Sequence, residues 1–193
     1  MKLVQLATAF LLAVAGYGSA QAQSNEDFLT IQLKDGPVVI QLMPDVAPKH
    51  VAQIKDLAAK GEYDNVAFHR VIEGFMAQTG DVQNGKQGED TSNAGMGGSD
   101  KPDREAVFTE TEFYRGTVGM ARAMDPNSAN SQFFIDLAPA PFLNGEYTVV
   151  GQLIEGWDVL DAIKKGDSAA NGAVSEPDYM MTVTIAEEEG EDA

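Results

Sequence analysis

The sequence predicts a mainly β protein in which many short strands form a closed or nearly closed antiparallel sheet, accompanied by two α-helices. Two observations lead to this prediction. Short apolar runs recur along the chain between turn residues such as Gly, Pro, Asn and Asp, whereas only two segments have helical spacing. The strands also do not alternate regularly with helices, as they would in a parallel α/β sheet.

The first elements are a hairpin and a helix. Residues 28–33 and 38–42 have the pattern of strands, and the Lys-Asp-Gly-Pro segment between them supplies turn residues. Pro48 then suits the first position of a helix of about three turns. Apolar residues at 51, 54, 57 and 58 fall on one face of this helix, and Lys60 and Gly61 end it.

The middle of the chain predicts short strands followed by a long loop. Between Tyr63 and Gly80, apolar runs are interrupted by glycine, and the polar, glycine-rich segment 81–104 has neither a strand nor a helix period. We therefore predict a long surface loop there, and its role stays open.

The remaining elements are four strands and a second helix. The strand-like runs cover 116–120, 132–137, 148–153 and 181–185. The helix is predicted over 156–165, with Trp157, Leu160 and Ile163 facing inward. The acidic segment 187–193 is expected to be a solvated tail, because like charges repel and nothing apolar anchors it.

The N-terminus has the pattern of a secretory signal peptide. Lys2 precedes an apolar run from Leu3 to Ala15, and small residues occupy positions 20 and 22. We predict a signal peptide over residues 1–22 and a single mature domain over 23–193. A periplasmic location in a Gram-negative bacterium is expected, with eukaryotic secretion left open.

Composition and charge exclude several classes of protein. The chain of 193 residues has 13 basic and 30 acidic side chains, which gives a formal net charge of −17. This charge disfavours nucleic acid and anionic lipid, so we expect neither a nucleic-acid partner nor stable membrane association. The absence of cysteine excludes disulfides, thiolate nucleophiles and thiolate metal sites.

Common catalytic motifs are missing. No nucleophile elbow, phosphate loop or dinucleotide fingerprint is present. The two histidines, His50 and His69, lack the spacing of a metal site, and His50 is expected on the surface of the first helix. No carboxylate is set between apolar neighbours in a way that predicts a raised pKa. We expect no metal, no cofactor and no hydrolase chemistry.

One segment is unusual. Residues 68–81 place Arg70 within an apolar strand and follow it with Phe75, Met76 and Gln78 across a glycine turn. The simplest interpretation is a hairpin with a surface arginine. The alternating strands can also present a cation, an apolar pocket and an amide on one face.

With its neighbours, this segment resembles the cyclophilin family of peptidyl-prolyl cis-trans isomerases, in a bacterial secreted or periplasmic branch. The resemblance starts with the segment from Tyr63 to Gly80. It continues in two further stretches, Met120-Ala-Arg-Ala with Asn130-Ser-Gln-Phe-Phe-Ile, and Phe142-Leu-Asn-Gly-Glu-Tyr-Thr-Val-Val-Gly151. It implies an eight-stranded antiparallel β-barrel closed by two helices, in agreement with the elements above.

The resemblance also implies an activity and a set of site residues. The activity is rotation of X-Pro peptide bonds in unfolded or folding secreted proteins, without a cofactor. Arg70, Phe75 and Gln78 would be catalytic, with Phe75 also in the pocket that receives the proline ring. The other substrate-binding residues would be Met76, Phe134 and Leu143 in that pocket, and Ala121, Arg122, Gln132, Phe142 and Tyr147 in the groove around it.

Three positions depart from the best-known eukaryotic pattern of the family. Arg122 replaces an asparagine, Phe142 a tryptophan and Tyr147 a histidine. Because Phe142 has no indole N–H donor, these changes bear on inhibitor affinity and groove selectivity more than on catalysis.

An alternative function is a non-catalytic chaperone that holds proline-containing segments on the same fold. An isomerase assay distinguishes the two. In either case the partners are proline-containing polypeptides, and we expect a monomer. The physiological clients stay open, because a groove that recognises a bond type tolerates many neighbouring residues.

Overall fold

The computed structural model describes residues 28–186. The predicted signal peptide and the acidic tail 187–193 lie outside these residues. The two helices are α1 (Pro48–Ala59) and α2 (Trp157–Ala162). The strands are β1 (Phe28–Leu33), β2 (Gly36–Leu42), β3 (Val66–Ala67), β4 (Arg70–Ile72), β5 (Met76–Thr79), β6 (Thr117–Met120), β7 (Phe133–Asp136), β8 (Val149–Glu155), β9 (Tyr179–Met180) and β10 (Thr182–Ile185).

Within residues 28–186, eight strands form one antiparallel sheet in the order β10-β1-β2-β8-β6-β7-β5-β4. The predicted eight antiparallel strands and two helices are confirmed, but closure is only partial. Strands β10 and β4 are the two edges and do not pair with each other. The short pair β3–β9 connects along the chain to both edges, since β3 precedes β4 and β9 precedes β10.

Local sequence explains most boundaries. The β1–β2 hairpin turns where predicted, and Gly36 adopts a φ of 140°. Helix α1 begins at Pro48 and is capped by Lys60, also as predicted. Helix α2 is shorter than predicted, because Ile163 already has the extended angles φ −55° and ψ 130°.

The main core lies inside the curled sheet and against α1. Leu29, Ile31 and Ile40 of the first hairpin are buried there with Ile54 and Leu57 of α1. A second, smaller apolar cluster contains Met76, Phe113, Phe134, Ala140, Leu143 and Val149. This second cluster matters for function, because three of the predicted site residues belong to it.

The prediction that His50 lies on the surface is wrong. His50 is 1% exposed, because the long loop covers the first turns of α1. Arg104 of that loop donates through Nε to Gln53 Oε1 at 2.7 Å, one turn after His50. Burial, reinforced by the Arg104 charge, lowers the pKa of His50 to about 4.

The long segment between β5 and β6 is irregular, as predicted, and it is organised by one buried carboxylate. Asp81 accepts from the backbone N–H groups of Gln83 and Asn84 through Oδ1 and of Gly95 and Gly97 through Oδ2. These four bonds hold the two halves of the segment together. The loop thereby reaches the groove beside β5 and β7.

Candidate active site

A row of side chains crosses four neighbouring strands. Arg70 of β4 pairs with Gln78 of β5, Gln78 pairs with Phe134 of β7, and Phe134 pairs with Gly119 of β6. Directly paired residues point to the same face of an antiparallel sheet, so a cation, an amide and an aromatic ring line up. The row ends in a glycine, and a Cβ built at Gly119 would lie 2.4 Å from the Phe134 ring. The absent side chain makes room for that ring.

Above this row lies a cavity of about 130 Å³. It is smaller than the roughly 300–1,000 Å³ of typical small-molecule sites, so it suits a single side chain. All but two of the predicted site residues line it: Arg70, Phe75, Met76, Gln78, Ala121, Arg122, Phe134, Leu143 and Tyr147.

The two remaining residues lie at its margins. Gln132 lines an adjoining depression of about 410 Å³, together with Gln78, and accepts a hydrogen bond from Gln78 Nε2 at 3.0 Å. Phe142 is 67% exposed. Its ring packs at 5.3 Å on Phe75, so it extends the apolar rim without lining the cavity.

The Arg70 guanidinium is held from two sides. Nη1 donates to Gln78 Oε1 at 3.2 Å, while Nε donates to the Asn171 carbonyl at 3.0 Å and Nη2 to Asn171 Oδ1 at 3.1 Å. Partial burial lowers its pKa from the ordinary arginine value, although an arginine remains protonated at neutral pH. The cavity therefore has a fixed cation in its wall.

The hydrogen bonds continue beyond the cavity. Gln78 Nε2 donates to Gln132 Oε1, and Gln132 Nε2 donates to the Gly97 carbonyl at 2.7 Å. Because each amide both accepts and donates, the orientation of Gln78 is fixed by Arg70 on one side and Gln132 on the other.

Another part of the cavity lining is aromatic and carries a second cation. Tyr147 meets Phe134 edge to face at 5.7 Å, and Phe134 stacks with Phe113 at 5.9 Å. Arg122 lies 4.5 Å from the centre of the Tyr147 ring and donates to the carbonyls of Ala123 and Glu146. Tyr147 and Arg122, two of the departures noted from sequence, thus contact each other.

Comparison with known proteins identifies the fold. Residues 28–185 match the family described as cyclophilin type peptidyl-prolyl cis-trans isomerase/CLD. The chain belongs to the cyclophilin family. Peptidyl-prolyl cis-trans isomerisation is therefore its activity.

Similar cyclophilins cover most of the chain. A probable peptidyl-prolyl cis-trans isomerase of Brucella suis is 54% identical over 182 residues, 93% of each chain. Peptidyl-prolyl cis-trans isomerase B of Escherichia coli is 34% identical over 82% of this chain and 99% of its own. A cyclophilin of Cryptosporidium parvum, crystallised in the presence of the dipeptide Ala-Pro, has a TM-score of 0.70 and 28% identity over 83% of this chain and 99% of its own.

Sequence reasoning missed Asn171, which contacts Arg70 although 101 positions separate them. The Asn171-Gly172 pair is a turn signal, and Asn171 adopts a left-handed φ of 54°. The pattern therefore predicts a turn, but it contains nothing about what the turn faces.

Sequence reasoning also excluded a carboxyl with a raised pKa, and that exclusion is wrong. Asp136, at the end of β7, is fully buried, and neither carboxyl oxygen has a hydrogen-bond partner among the described residues. Burial raises the pKa of Asp136 to about 8. Its backbone partner across the sheet is Met76, which lines the cavity.

Proposed function

We propose that Arg70 accelerates rotation of X-Pro bonds by stabilising the twisted amide while the proline ring sits in the apolar cavity. The observation that supports this most directly is the fixed guanidinium in the wall of a cavity whose other walls are Phe75, Met76, Phe134 and Leu143. The cavity thus combines an apolar receptor for the ring with a nearby charged donor.

The chemistry requires no covalent step. The barrier to rotation is about 18–20 kcal/mol, because turning the bond breaks amide resonance, and uncatalysed isomerisation takes about tens to hundreds of seconds. In the twisted amide the prolyl nitrogen becomes pyramidal and regains a lone pair. A guanidinium N–H can bind that lone pair far better than it binds the planar amide, which is differential stabilisation of the transition state.

Arg70 keeps a free donor for this bond. A guanidinium has five N–H groups, and three of them bind Gln78 and Asn171. A fourth, the second N–H of Nη1, donates to Met76 Sδ at 3.8 Å. One N–H, on Nη2, has no bond among the described residues. Because the bound N–H groups fix the plane of the guanidinium, the free one is pre-oriented and needs no reorganisation when the amide twists.

The other site residues would hold the peptide. The proline ring packs against Phe75, Met76, Phe134 and Leu143, which exclude water from it. Gln78 orients the flanking peptide. The groove on either side is formed by Ala121, Arg122, Gln132, Phe142 and Tyr147.

A rate gain of about 10⁵ needs about 7 kcal/mol of transition-state stabilisation, whereas one charged hydrogen bond contributes about 1.5–3 kcal/mol. Desolvation and orientation by these residues therefore supply the rest.

The substrates we propose are proline-containing segments of unfolded or folding secreted proteins, met in the periplasm. The Cryptosporidium parvum cyclophilin that shares this fold was crystallised in the presence of Ala-Pro. The N-terminal pattern of residues 1–22 supports export. In the described part of the chain, no helix has the length and apolar character needed to cross a membrane. We further propose that the protein acts as a monomer, without a cofactor, nucleic acid or stable membrane association.

The alternative, a chaperone that binds proline-containing segments without isomerising them, fits the site less well. A guanidinium held in place at the cavity wall suits stabilisation of a twisted amide, whereas binding alone does not require it. Exposed Phe142 is compatible with either role.

Replacing Arg70 tests the proposal. Arg70→Ala is expected to lower kcat/KM by about 10- to 150-fold, the equivalent of one charged hydrogen bond, with unchanged thermal unfolding. The measurement is exchange NMR or stopped-flow isomerisation of a proline tetrapeptide.

Arg115→Ala is the matched control, because Arg115 is also partly exposed but binds Asp161 and lies over Trp157. Wild-type turnover in Arg70→Ala would refute the proposed role of Arg70.

A further inference from the structure

We propose that Asn171 is a positioning residue for the isomerisation, a role that rests on the proposed function of Arg70. Its carbonyl and its side chain together hold the Arg70 guanidinium in the plane from which the free N–H of Nη2 reaches the twisted amide. The hydrogen bonds that Asn171 makes to the cavity lining go to Arg70, and Asn171 acts on the substrate through it.

Asn171 accepts two hydrogen bonds from Arg70, one through its carbonyl and one through its side chain. Nε of Arg70 binds the Asn171 carbonyl at 3.0 Å, and Nη2 binds Asn171 Oδ1 at 3.1 Å. Two bonds from different nitrogens to one residue restrict both the position and the rotation of a planar guanidinium, which one bond cannot do. The third bond, to Gln78, leaves from the other terminal nitrogen.

The geometry depends on an unusual backbone conformation. Asn171 follows the short 3-10 helix Ser168–Ala170 and has φ 54° and ψ 34°, in the left-handed region. Asparagine adopts this region more readily than most residues with a side chain. Glycine would also adopt it, but glycine has no Oδ1. The residue type therefore supplies both the turn and the second acceptor.

The turn is attached to the strand that carries Arg70 by bonds that involve neither side chain. Val71 N–H donates to the Gly172 carbonyl at 2.8 Å, Gly166 N–H donates to the Val71 carbonyl at 2.9 Å, and Val174 N–H donates to the His69 carbonyl at 3.1 Å. The position of Asn171 relative to β4 is thus set by the backbone and should survive a change of its side chain.

The turn is also closed on itself. The Asp167 side chain accepts from Ala169 N–H at 2.8 Å, and its carbonyl accepts from Gly172 N–H at 2.8 Å. Gly166 packs so closely against this turn that a Cβ there would lie 1.9 Å from the Gly172 carbonyl oxygen. A pre-formed turn of this kind loses little entropy when it holds the guanidinium.

Asn171→Gly is the first test, because it keeps the left-handed backbone and the carbonyl acceptor and removes only Oδ1. We expect kcat to fall about tenfold with KM little changed, since orientation of the donor matters in the transition state and not for binding. Asn65→Gly is the matched control, because Asn65 has a φ of 59° in a different turn. Asn171→Asp, which restores an oxygen at the same place, is expected to recover most of the activity.

A double-mutant cycle separates positioning from a general structural role. In an Arg70→Lys background, which lacks the guanidinium fork, Asn171→Gly is expected to change the residual kcat by less than about twofold. An equal loss in both backgrounds, or equal activity of Asn171→Gly and Asn65→Gly, would overturn the inference. If instead Arg70→Ala itself retains normal turnover, it is the proposed function of Arg70 that fails.

Discussion

Asp136 shows how a single residue can be misjudged from sequence. It lies next to the apolar residues Phe134, Ile135 and Leu137. In a strand, Ile135 and Asp136 point to opposite faces of the sheet, so Asp136 is buried only if both faces of β7 are covered. All four residues of β7 are buried. The sequence pattern does not predict that both faces of β7 are buried, because an alternating pattern predicts burial of one face only.

The buried carboxyl leads to a pH dependence. Its pKa is about 8 when folded and about 3.9 when unfolded, so between these values the folded state binds more protons than the unfolded state. Its contribution to stability is therefore greatest below about pH 4, declines as the pH rises to about 8, and is constant above that.

Asp136→Asn should remove this decline. We expect the variant to be more stable than the wild type at pH 7 by about 2–4 kcal/mol and nearly equal to it at pH 4. Urea unfolding at several pH values measures the difference. If the free energy of unfolding changes with pH in the same way in both proteins, the prediction is wrong and Asp136 is hydrated or paired in solution.

At the scale of elements, the strands were predictable where their patterns were long enough. Strand β1 and helix α1 appear within one residue of the predicted bounds, because alternation, Pro48 and Lys60 act locally. The two-residue strands β3 and β9 were not predicted separately, since two residues carry no period. They exist because distant segments of the chain meet.

Strand β6 contributes to the site through the side chain it lacks. A Cβ at Gly119 would lie 2.4 Å from the Phe134 ring and 2.8 Å from that of Phe113. Gly119→Ala should therefore push Phe134 into the cavity beside Arg70, lowering stability by about 1–3 kcal/mol and raising KM for proline peptides.

The control for this variant is Gly74→Ala, in the turn between β4 and β5. A Cβ there meets nothing within 4 Å, although the φ of 71° carries its own strain. We expect Gly74→Ala to lower stability without changing KM. An unchanged KM in Gly119→Ala as well would contradict the role given to β6. Chemical denaturation and steady-state isomerisation measure both quantities.

At the scale of the whole molecule, export of the protein stays a prediction. When the full chain is expressed in a Gram-negative host, we expect the periplasmic fraction to contain a form that begins near Gln23, measurable by intact-mass spectrometry. Ala22→Asp places a charge at the −1 position and should leave the longer form uncleaved. A full-length wild-type protein confined to the cytosol would contradict the predicted signal peptide.

The sequence by itself determined the class of fold, most element boundaries and, through its resemblance to the cyclophilins, the activity and the residues that line the cavity. These features follow from patterns that adjacent residues carry. Only the tertiary structure decided that Asn171 holds Arg70, that Phe142 lies on the rim, that Asp136 and His50 are buried, and that the sheet stays open between β4 and β10. Burial and long-range hydrogen bonds depend on which surfaces meet when the chain folds, and no local pattern specifies that.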